Sequence, residues 1–357
     1  MLPIWSSRLE HAPDRVDHAS AAVGHIIYSF GGYCNNDVWT RRQIVVDSID
    51  TNTLEWSSVA HTHDSTDDVP FNRFGHTVIA DGYMIYLWGG VNYDSLCNVL
   101  FAFNCVTLKW SRPKVSGVTP DARFGHSAAL CGRKMYIFGG DLDGETRRFQ
   151  DVHSLDLDTF IWTYIVTDGM PPTFTQFHSL SCIDEILYVF GGRSNKEGQY
   201  GELVSENEIA CLDLRSLTWS RPVTKNTPIG RESHSSFVFN NWLYIFGGFN
   251  GLTGYLNDLD MYNPITREWT KVSTQGVPPG PCAGQSCHLV KSQVFLFGGA
   301  GRTENFTDLF VLDFSPSLET LAKHVIIKHG LSTTSFPSKM KKEISYMPKK
   351  TTQKLNQ

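Results

Sequence analysis

The chain has 357 residues, and its 31 basic and 36 acidic side chains give a formal charge of −5. This balance argues against a protein whose affinity comes mainly from neutralising phosphates, so we do not expect nucleic acid to be its direct partner. No apolar run approaches the roughly 20 residues that span a bilayer, and the N-terminus lacks the basic flank and apolar stretch of a signal peptide. We therefore expect a soluble protein without membrane contact, in the cytoplasm and with the nucleus as an open alternative.

One set of residues recurs six times along the chain. A Gly-Gly pair that follows an alternating apolar and aromatic stretch begins at Gly31, Gly89, Gly139, Gly191, Gly247 and Gly298. Thirteen residues before each pair stands His18, His76, His126, His178, His234 or, in the sixth repeat, Gln285. An arginine lies three residues earlier in four repeats, at Arg15, Arg73, Arg123 and Arg231. After each pair a further short strand is predicted to end at Asp50, Asn104, Asp156, Asp213, Asn263 or Asp313. In the first five repeats a tryptophan follows six residues after this Asp or Asn, at Trp56, Trp110, Trp162, Trp219 and Trp269.

These residues and their period of about 50 resemble the kelch repeat over about residues 5–314. The resemblance implies an all-β fold, a six-bladed β-propeller with four antiparallel strands in each blade. The sixth repeat has no tryptophan six residues after Asp313, whereas Trp5 has no Gly-Gly pair ahead of it. We predict that the N-terminal strand completes the last blade and so removes an open edge. The expected domains are a propeller over residues 1–314, a helical tail over 315–345 and a disordered basic terminus over 346–357.

Most of the repeated residues are expected to be structural. Glycine pairs permit positive φ and close backbone approach, and a tryptophan in each blade fills the wedge between blades with its N–H satisfied. The histidines and arginines are expected to hydrogen-bond buried backbone groups and to connect neighbouring blades. One histidine per blade spreads these side chains around a ring too wide for a tetrahedral metal site. Because no catalytic motif is recognisable either, we expect no metal, no cofactor and no enzyme activity.

Loop lengths point to one face of the propeller. The interval from histidine or glutamine to Gly-Gly is 13 in every repeat, and the interval from Asp or Asn to tryptophan is always 6. The interval from Gly-Gly to Asp or Asn instead varies from 15 to 22, and that from tryptophan to the next arginine position varies from 10 to 17. In a four-stranded meander the loops after strands two and four share a face, so all variation is predicted to fall there. This face is the candidate binding surface.

Several side chains are expected to gather at the centre of that face. Between the arginine and histidine positions stand Phe74, Phe124, Phe177, Glu232 and Ser233, and directly after Gly-Gly pairs stand Tyr33 and Arg193. An aromatic mouth with one arginine can hold an extended peptide and neutralise its carboxylate through two parallel hydrogen bonds. The alternative is that the phenylalanines merely plug the channel.

The tail after Asp313 has the period of a helix. Ser315 and Pro316 are predicted to begin a helix that ends at Gly330, and its apolar positions are Leu318, Leu321, Ala322, Val325 and Ile326. A second short segment runs from residue 336 to 344. From periodicity alone, such a helix would simply cap the propeller.

The tail also resembles two adaptor-binding motifs. Leu318, Leu321, Ala322 and Ile326 resemble an elongin-binding box, and Phe336, Pro337 and Met340 resemble a cullin-2 box. Alanine stands at position 322, where the elongin box usually carries cysteine, and it lacks the sulfur contacts. Both boxes in this order after a kelch domain resemble the kelch substrate receptors of cullin-2 ubiquitin ligases.

The resemblance implies a non-catalytic receptor whose tail binds elongin B, elongin C and cullin-2. Its propeller would bind the C-terminal ends of substrates, called C-degrons, often a glycine preceded by a basic residue, and so commit those substrates to proteasomal degradation. Family members hold the terminal carboxylate with an arginine that Arg193 matches and with a hydroxyl residue at the position of Glu232, beside Ser233. The alternative is a kelch scaffold for cytoskeletal, chromatin or trafficking partners that recruits no ligase.

Charge is unevenly divided between the two parts of the chain. Residues 323–357 contain eight lysines and one acidic residue, Glu343, a net charge of +7 that leaves −12 on the remainder. An acidic propeller is suited to basic peptide ends rather than to nucleic acid.

Overall fold

The computed structural model describes residues 2–9, 11–33, 42–92, 95–142, 148–173, 176–195, 203–334 and 336–347. Within these residues, six sheets form the blades of a propeller; each has four antiparallel main strands, and two have a short fifth strand. The innermost strands of successive blades contact one another in a closed circle, including the contact between the sixth blade and the first. The predicted six-bladed propeller is therefore confirmed.

The strands follow the sequence repeat closely. Strand β1 (Ile4–Leu9) precedes blade 1, which contains β2 (Ala19–Val23), β3 (Ile26–Phe30), β4 (Val46–Asp50) and β5 (Glu55–Ser58). Blade 2 contains β6 (Phe74–Asp81), β7 (Met84–Asn92), the short β8 (Ser95–Leu96), β9 (Phe101–Asn104) and β10 (Lys109–Ser111). Blade 3 contains β11 (Ser116–Gly117) at its edge, β12 (Ser127–Cys131), β13 (Lys134–Phe138), β14 (Val152–Asp156) and β15 (Ile161–Ile165).

The remaining blades carry two extra hairpins. Blade 4 contains β16 (Ser179–Ile183), β17 (Ile186–Phe190), the hairpin of β18 (Arg193–Asn195) with β19 (Leu203–Ser205), β20 (Ile209–Asp213) and β21 (Thr218–Ser220). Blade 5 contains β22 (Ser235–Phe239), β23 (Trp242–Phe246), the hairpin of β24 (Phe249–Asn250) with β25 (Gly254–Tyr255), β26 (Leu259–Asn263) and β27 (Glu268–Lys271). Blade 6 contains β28 (Ser286–Val290), β29 (Gln293–Phe297) and β30 (Leu309–Asp313).

The N-terminal strand closes the ring, as the missing tryptophan of the sixth repeat predicted. Strand β1 pairs antiparallel with β30, so that Ile4 lies opposite Asp313 and Leu9 opposite Leu309. Trp5 thereby takes the place of the absent tryptophan. The ring is held by backbone hydrogen bonds between the two ends of the propeller, and no open edge remains at β30.

Each tryptophan on a fourth strand packs against the preceding blade. Its partner is always the residue before that blade's Gly-Gly pair, with ring centroids 4.7–5.7 Å apart: Trp5 with Phe246, Trp56 with Phe297, Trp110 with Phe30, Trp162 with Trp88, Trp219 with Phe138 and Trp269 with Phe190. The expectation that every indole N–H is satisfied was wrong. Trp5 Nε1 donates to Thr274 Oγ1, whereas the other five buried N–H groups have no acceptor within the described residues, because aromatic rings fill the wedge around them.

The turn between the third and fourth strands has a fixed length because its first residue organises it. The Oδ1 atom of Asp50 accepts hydrogen bonds from the backbone N–H groups of Asn52 and Thr53, and the Asp or Asn of the next four blades does the same. The residue four positions after Asp50, Leu54, has a φ of 61°. Asp and Asn favour turns of this kind because their side chains accept hydrogen bonds from the backbone a few residues later.

Glycine pairs connect successive blades through their backbone. The second glycine donates its N–H to the carbonyl at the arginine position of the next blade, at 2.8 Å in five described pairs, as Gly32 does to Arg73. Gly32 has a φ of 82°, and a Cβ there would lie 2.7 Å from the Cβ of His18. Only glycine can adopt this positive φ and leave room for the His18 side chain without strain.

The histidine and arginine side chains have different structural roles. His126 and His234 bond to hydroxyl groups of the preceding blade, Thr77 and Ser179, rather than to backbone. Burial, together with the nearby Arg231 and His178, lowers the pKa of His234 to about 3, so the imidazole is neutral. The side chains of Arg73, Arg123 and Arg231 stay within their own blade, where each donates to the carbonyl of the first glycine of the pair, as Arg231 does to Gly247. Histidines therefore connect blades, as expected, whereas the connection at the arginine positions runs through the backbone carbonyl.

The connections between blades do not remain on one face, contrary to the loop-length prediction. Six residues after a tryptophan, the chain forms a parallel bridge with the start of the next blade's outer strand, as Thr62 does with Lys109. Equivalent parallel pairings occur at Ser116, Asp168, Lys225 and Gln275. The variable connection thus descends along the outer edge of the next blade. Where the loops after second strands are described, as in the hairpins of β18 with β19 and β24 with β25, they lie on the predicted face.

The tail forms two helices, α1 (Leu318–Lys328) and α2 (Ser338–Ser345). Ser317, not Ser315, is the N-cap of α1, because its hydroxyl accepts from the Thr320 N–H while the Ser315 N–H donates to Asp313. Gly330 ends the helix with a φ of 61°, as predicted. Neither described helix is long and apolar enough to cross a membrane.

The tail continues along the propeller beyond α2. The Tyr346 carbonyl accepts a hydrogen bond from the Arg8 N–H, and the Met347 side chain is buried. Contact with the propeller therefore extends two residues into the segment 346–357 that we expected to be a disordered terminus. Residues 348–357 lie outside the described part of the chain.

Candidate functional site

A closed ring of backbone hydrogen bonds surrounds the channel at the mouth. In every blade, the residue before the histidine or glutamine has a positive φ: Asp17, Gly75, Gly125, Phe177, Ser233 and Gly284. Each of these residues donates its N–H to the carbonyl of the equivalent residue in the preceding blade, at 2.8–3.2 Å. Three non-glycine side chains are therefore held at the centre of the mouth in a backbone conformation that usually favours glycine.

A second tier of backbone pairs lies outside this ring. The residue two positions before the histidine pairs with the residue that follows the Gly-Gly pair: Val16 with Tyr33, Phe74 with Val91, Phe124 with Asp141, Gln176 with Arg193, Glu232 with Phe249 and Ala283 with Ala300. Two distant positions of each repeat are thus brought side by side at the same height of every blade. The pairing explains why the predicted mouth residues gather there.

The predicted aromatic residues form one continuous arc. Tyr33 contacts Phe74, Phe74 contacts Phe124, and Phe124 contacts Phe177, with ring centroids 5.4–6.5 Å apart and edge-to-face geometry. All four rings are only partly buried, so they present apolar surface at the mouth in addition to packing against each other. The arc spans blades 1 to 4.

Arg193 stands where the aromatic arc ends. Its guanidinium carbon lies 5.3 Å from the ring centroid of Phe177. Nε and Nη2 both donate to the side-chain oxygen of Gln176, at 3.0 and 2.6 Å. Nε also lies 3.3 Å from the Oε2 atom of Glu232. The carboxylate that replaces the family's hydroxyl thus faces the arginine and pairs with it.

Two carboxyl groups of the mouth have raised pKa values. Burial and the nearby Glu232 raise the pKa of Asp17 to about 6, while Arg193 opposes this shift. Burial also raises the pKa of Glu232, against the opposing effect of Arg193 and Arg148. Arg193 thus interacts with both carboxyl groups, while Arg148 interacts with Glu232 and pairs with Asp141. Three acidic residues therefore face two arginines, which leaves an excess of acidic groups on the polar side of the mouth.

The sequence prediction missed two residues of the mouth. Gln176 is fully buried, holds Arg193 and keeps its own Nε2 without a hydrogen-bond partner in the described residues. Asp17 occupies the ring position equivalent to that of Ser233. Both could have been found by aligning the repeats position by position, since Gln176 is equivalent to Phe124 and Glu232. Below the ring, a cavity of about 300 Å³ continues between the histidines.

The predicted adaptor-binding residues are divided between the surface and the propeller side of the tail. Leu318 is 84% exposed and Ala322 and Val325 are exposed on the same stripe of α1. Leu321 and Ile326 are partly buried, and Ile326 lines a cavity of about 1080 Å³ next to residues 274–277. The helix is therefore not a simple cap with its whole apolar face buried.

The second predicted box surrounds the start of α2. Phe336 and Met340 are partly buried, while Pro337 is exposed at the N-cap position. The tail leaves the propeller at Asp313, on the face of the short turns and opposite the mouth.

These features define a kelch-type β-propeller with an aromatic and acidic mouth; among the described residues, no cluster of metal-ligating side chains occurs. The family model described as the KLHDC2/KLHL20/DRC7 Kelch-repeats domain matches residues 17–221 and 177–330. The chain belongs to the kelch-repeat family. Such propellers are typically non-catalytic interaction proteins.

Curated relatives extend this similarity to nearly the whole chain. Kelch domain-containing protein 3 of Bos taurus and that of Homo sapiens are each 40% identical over 367 aligned residues, which cover 96% of this chain and 95% of the relative. Host cell factor 2 of Homo sapiens is 28% identical over 263 residues, which cover 69% of this chain and 32% of that protein.

Proposed function

We propose that the chain is the substrate-recognition subunit of a cullin-2 ubiquitin ligase, in which the propeller binds C-terminal degrons and the tail binds elongin B, elongin C and cullin-2. The observation that carries this proposal is the exposed apolar stripe of Leu318, Ala322 and Val325 on α1. Because Leu318 is 84% exposed and shares its stripe with Ala322 and Val325, α1 presents contiguous apolar surface that a partner can cover. It is the residue that the resemblance assigns to elongin.

The mouth supports the other half of the proposal. A peptide end can lay its apolar atoms on the arc from Tyr33 to Phe177 and its carboxylate against Arg193. Its carboxylate must compete with Glu232 for the arginine, because the two groups already lie 3.3 Å apart. A basic side chain before the terminal residue relieves this competition by pairing with Glu232 or Asp17. The proposed ligand is therefore a glycine-ended peptide with a basic penultimate residue.

A pull-down with the tagged full-length chain tests the ligase assignment. We expect elongin B, elongin C and cullin-2 to be recovered, and Leu318→Lys to abolish their recovery. Leu331→Lys serves as the matched control, because Leu331 is also exposed (53%) but lies outside both boxes. Pro337→Ala is expected to lose cullin-2 while keeping elongin. Failure of the unmodified chain to recover these proteins would refute the assignment.

Binding of C-terminal peptides tests the mouth independently. Glycine-ended peptides with a free carboxylate should bind, whereas the amidated peptides and the Arg193→Ala variant should not. Arg221→Ala is the control, since Arg221 lies at the outer edge of blade 4 beside Glu208. Equal binding of free and amidated peptides would exclude capture of a terminal carboxylate. If deletion of residues 315–357 changed neither partner binding nor partner lifetime, the scaffold alternative would hold instead.

A further inference from the structure

Within the described residues, the outer edge of every blade except blade 1 is covered by the same kind of parallel backbone bridge. In blades 2 to 6, a residue of the preceding connection pairs with the outer strand just before its tryptophan. Thr62 illustrates the bonds: its N–H donates to the Leu108 carbonyl, and its carbonyl accepts from the Trp110 N–H, both at 2.9 Å. Among the described residues, no such bridge reaches Glu55 of blade 1.

The sequence explains the exception. The connection from Trp5 to Arg15 has ten residues, whereas the other five connections have 12 to 17. Ala12 of this short connection bonds to the Thr307 carbonyl, so the chain follows blade 6 instead of descending along blade 1. Within the described part of the chain, strand β5 is consequently left as an uncovered sheet edge, a position that proteins usually protect.

Trp56 shows the consequence of this missing cover. It is only partly buried, whereas the other five tryptophans of this set are 0–5% exposed. Trp56 pairs with Ile49 in the register in which Trp110 pairs with Phe103, so its backbone N–H points outward like that of Trp110. A groove of about 400 Å³ lies beside it, lined by Trp56, Ser57 and Ser58 on one side and by residues 11–15 on the other.

The C-terminal tail arrives at this edge. Lys342 Nζ lies 4.0 Å from the Glu55 carboxylate, and the Tyr346 carbonyl bonds to Arg8, three residues before the groove begins at His11. Ten residues follow Met347, enough to extend roughly 33 Å, against about 13 Å for a four-residue strand. They contain Lys349, Lys350 and Lys354 and no acidic residue.

The charges of the groove and of this segment are complementary. Asp14 and Asp47 line the groove together with the basic residues Arg15 and His11, and Glu55 directly precedes Trp56 of the groove in β5. We propose that residues 348–357 bind along β5 and supply the backbone partner that Trp56 lacks. A tethered segment is favoured over a free one because its effective concentration is high.

Hydrogen exchange at single-residue resolution tests this proposal. Deletion of residues 348–357 should raise exchange of the Trp56 and Ser58 amides about tenfold, because both N–H groups would lose a protein acceptor. The Trp110 amide, bonded to Thr62 in both proteins, is the internal control. Adding a synthetic peptide of residues 348–357 to the shortened protein should restore protection.

A second variant separates specific binding from an effect of truncation. Replacing Lys349, Lys350 and Lys354 together by Glu keeps the chain length and should raise exchange at the same two amides. Equal exchange in the full-length and shortened proteins would overturn the proposal. Protection that disappears when the full-length protein is diluted would also overturn it, because a second copy would then be the occupant.

Discussion

Arg193 and Glu232 form an ion pair at the mouth, with Nε and Oε2 3.3 Å apart, although 39 residues separate them in the sequence. The pair is largely shielded, since the arginine side chain is 23% exposed and the glutamate side chain 12%. A buried pair of this kind has an attraction that is offset by the cost of removing both charges from water. The arginine is thus positioned for a ligand carboxylate but partly neutralised before any ligand arrives.

Replacing Glu232 by Gln should change which peptides bind. The variant releases Arg193, so glycine-ended peptides with a neutral penultimate residue should bind roughly tenfold more tightly, a gain of about 1.4 kcal/mol. Peptides with a basic penultimate residue should lose their advantage. Calorimetric titration of matched Arg-Gly and Ala-Gly peptides measures both effects. Glu208→Gln, which alters an ion pair with Arg221 at the edge of blade 4, should leave both affinities unchanged.

Asp17→Asn should stabilise the propeller at neutral pH. Because burial raises the pKa of Asp17 to about 6, its ionised form costs folding free energy above that pH, and the cost disappears as pH falls towards the unfolded-state value near 3.8. The expected gain at pH 7.5 is about 3 kcal/mol, from a pKa difference of about 2.2 units. Asparagine also tolerates the φ of 51° at this position. Urea unfolding at pH 7.5 and 5.0 tests whether the variant is more stable and whether its advantage becomes smaller at the lower pH. An unchanged unfolding midpoint at pH 7.5 would contradict the prediction.

His234→Gln should reduce the acid sensitivity of the fold. The imidazole has a folded-state pKa of about 3, so below about pH 6.5 the unfolded chain binds a proton that the folded chain does not. Stability should therefore fall as pH drops, by up to about 1.4 kcal/mol per pH unit for this group. Gln285 occupies the equivalent position in blade 6 and bonds to the Phe246 carbonyl, so glutamine fits the site.

The measurement for His234→Gln is urea unfolding from pH 7.5 to 5.5. The variant should lose stability less steeply than the unmodified protein. The control is Val106→Gln, which replaces an exposed side chain that carries no titratable group and should leave the slope as it was. Parallel curves for His234→Gln and the unmodified chain would disprove the assigned neutrality.

Trp5→Ala should open the ring. Trp5 is 2% exposed and contacts Phe246 and Phe310, so its removal leaves a cavity in the joint between the first and last strands. The expected loss of unfolding free energy is about 3–5 kcal/mol. Trp242→Ala provides the comparison, because that ring is 36% exposed and its loss should cost less than about 1 kcal/mol. Similar losses for the two variants would argue against a special role for the N-terminal strand.

The repeated residues could be predicted from the sequence because each acts within one blade or between neighbours. The interval from Asp50 to Trp56 is fixed by hydrogen bonds inside a single turn. Gly32 requires its conformation because the backbone of its own blade approaches closely. The absent sixth tryptophan and the unpaired Trp5 together predicted the closure that the pairing of β1 with β30 confirmed. Such local requirements repeat at a constant period, so a single sequence reveals them.

The partners of Arg193 were decided only by the tertiary structure. The sequence determined the propeller, its blade number, its closure and the side chains at the mouth other than Gln176 and Asp17. It did not determine that the side chains of Gln176, in the same blade, and Glu232, in the next blade, both face Arg193, because side-chain direction is set only in the folded mouth. Nor did it determine that Asp17 of blade 1 lies close enough to affect and be affected by these groups, which depends on closure of the ring. The sequence also did not reveal that, among the described residues, the outer strand at Glu55 is uncovered. A short connection exposes the outer strand of the next blade only if it does not run along that strand, and this depends on the tertiary structure. Contacts that recur in every blade can be predicted from the periodic sequence, whereas contacts between residues of different blades around the channel depend on how the whole ring closes.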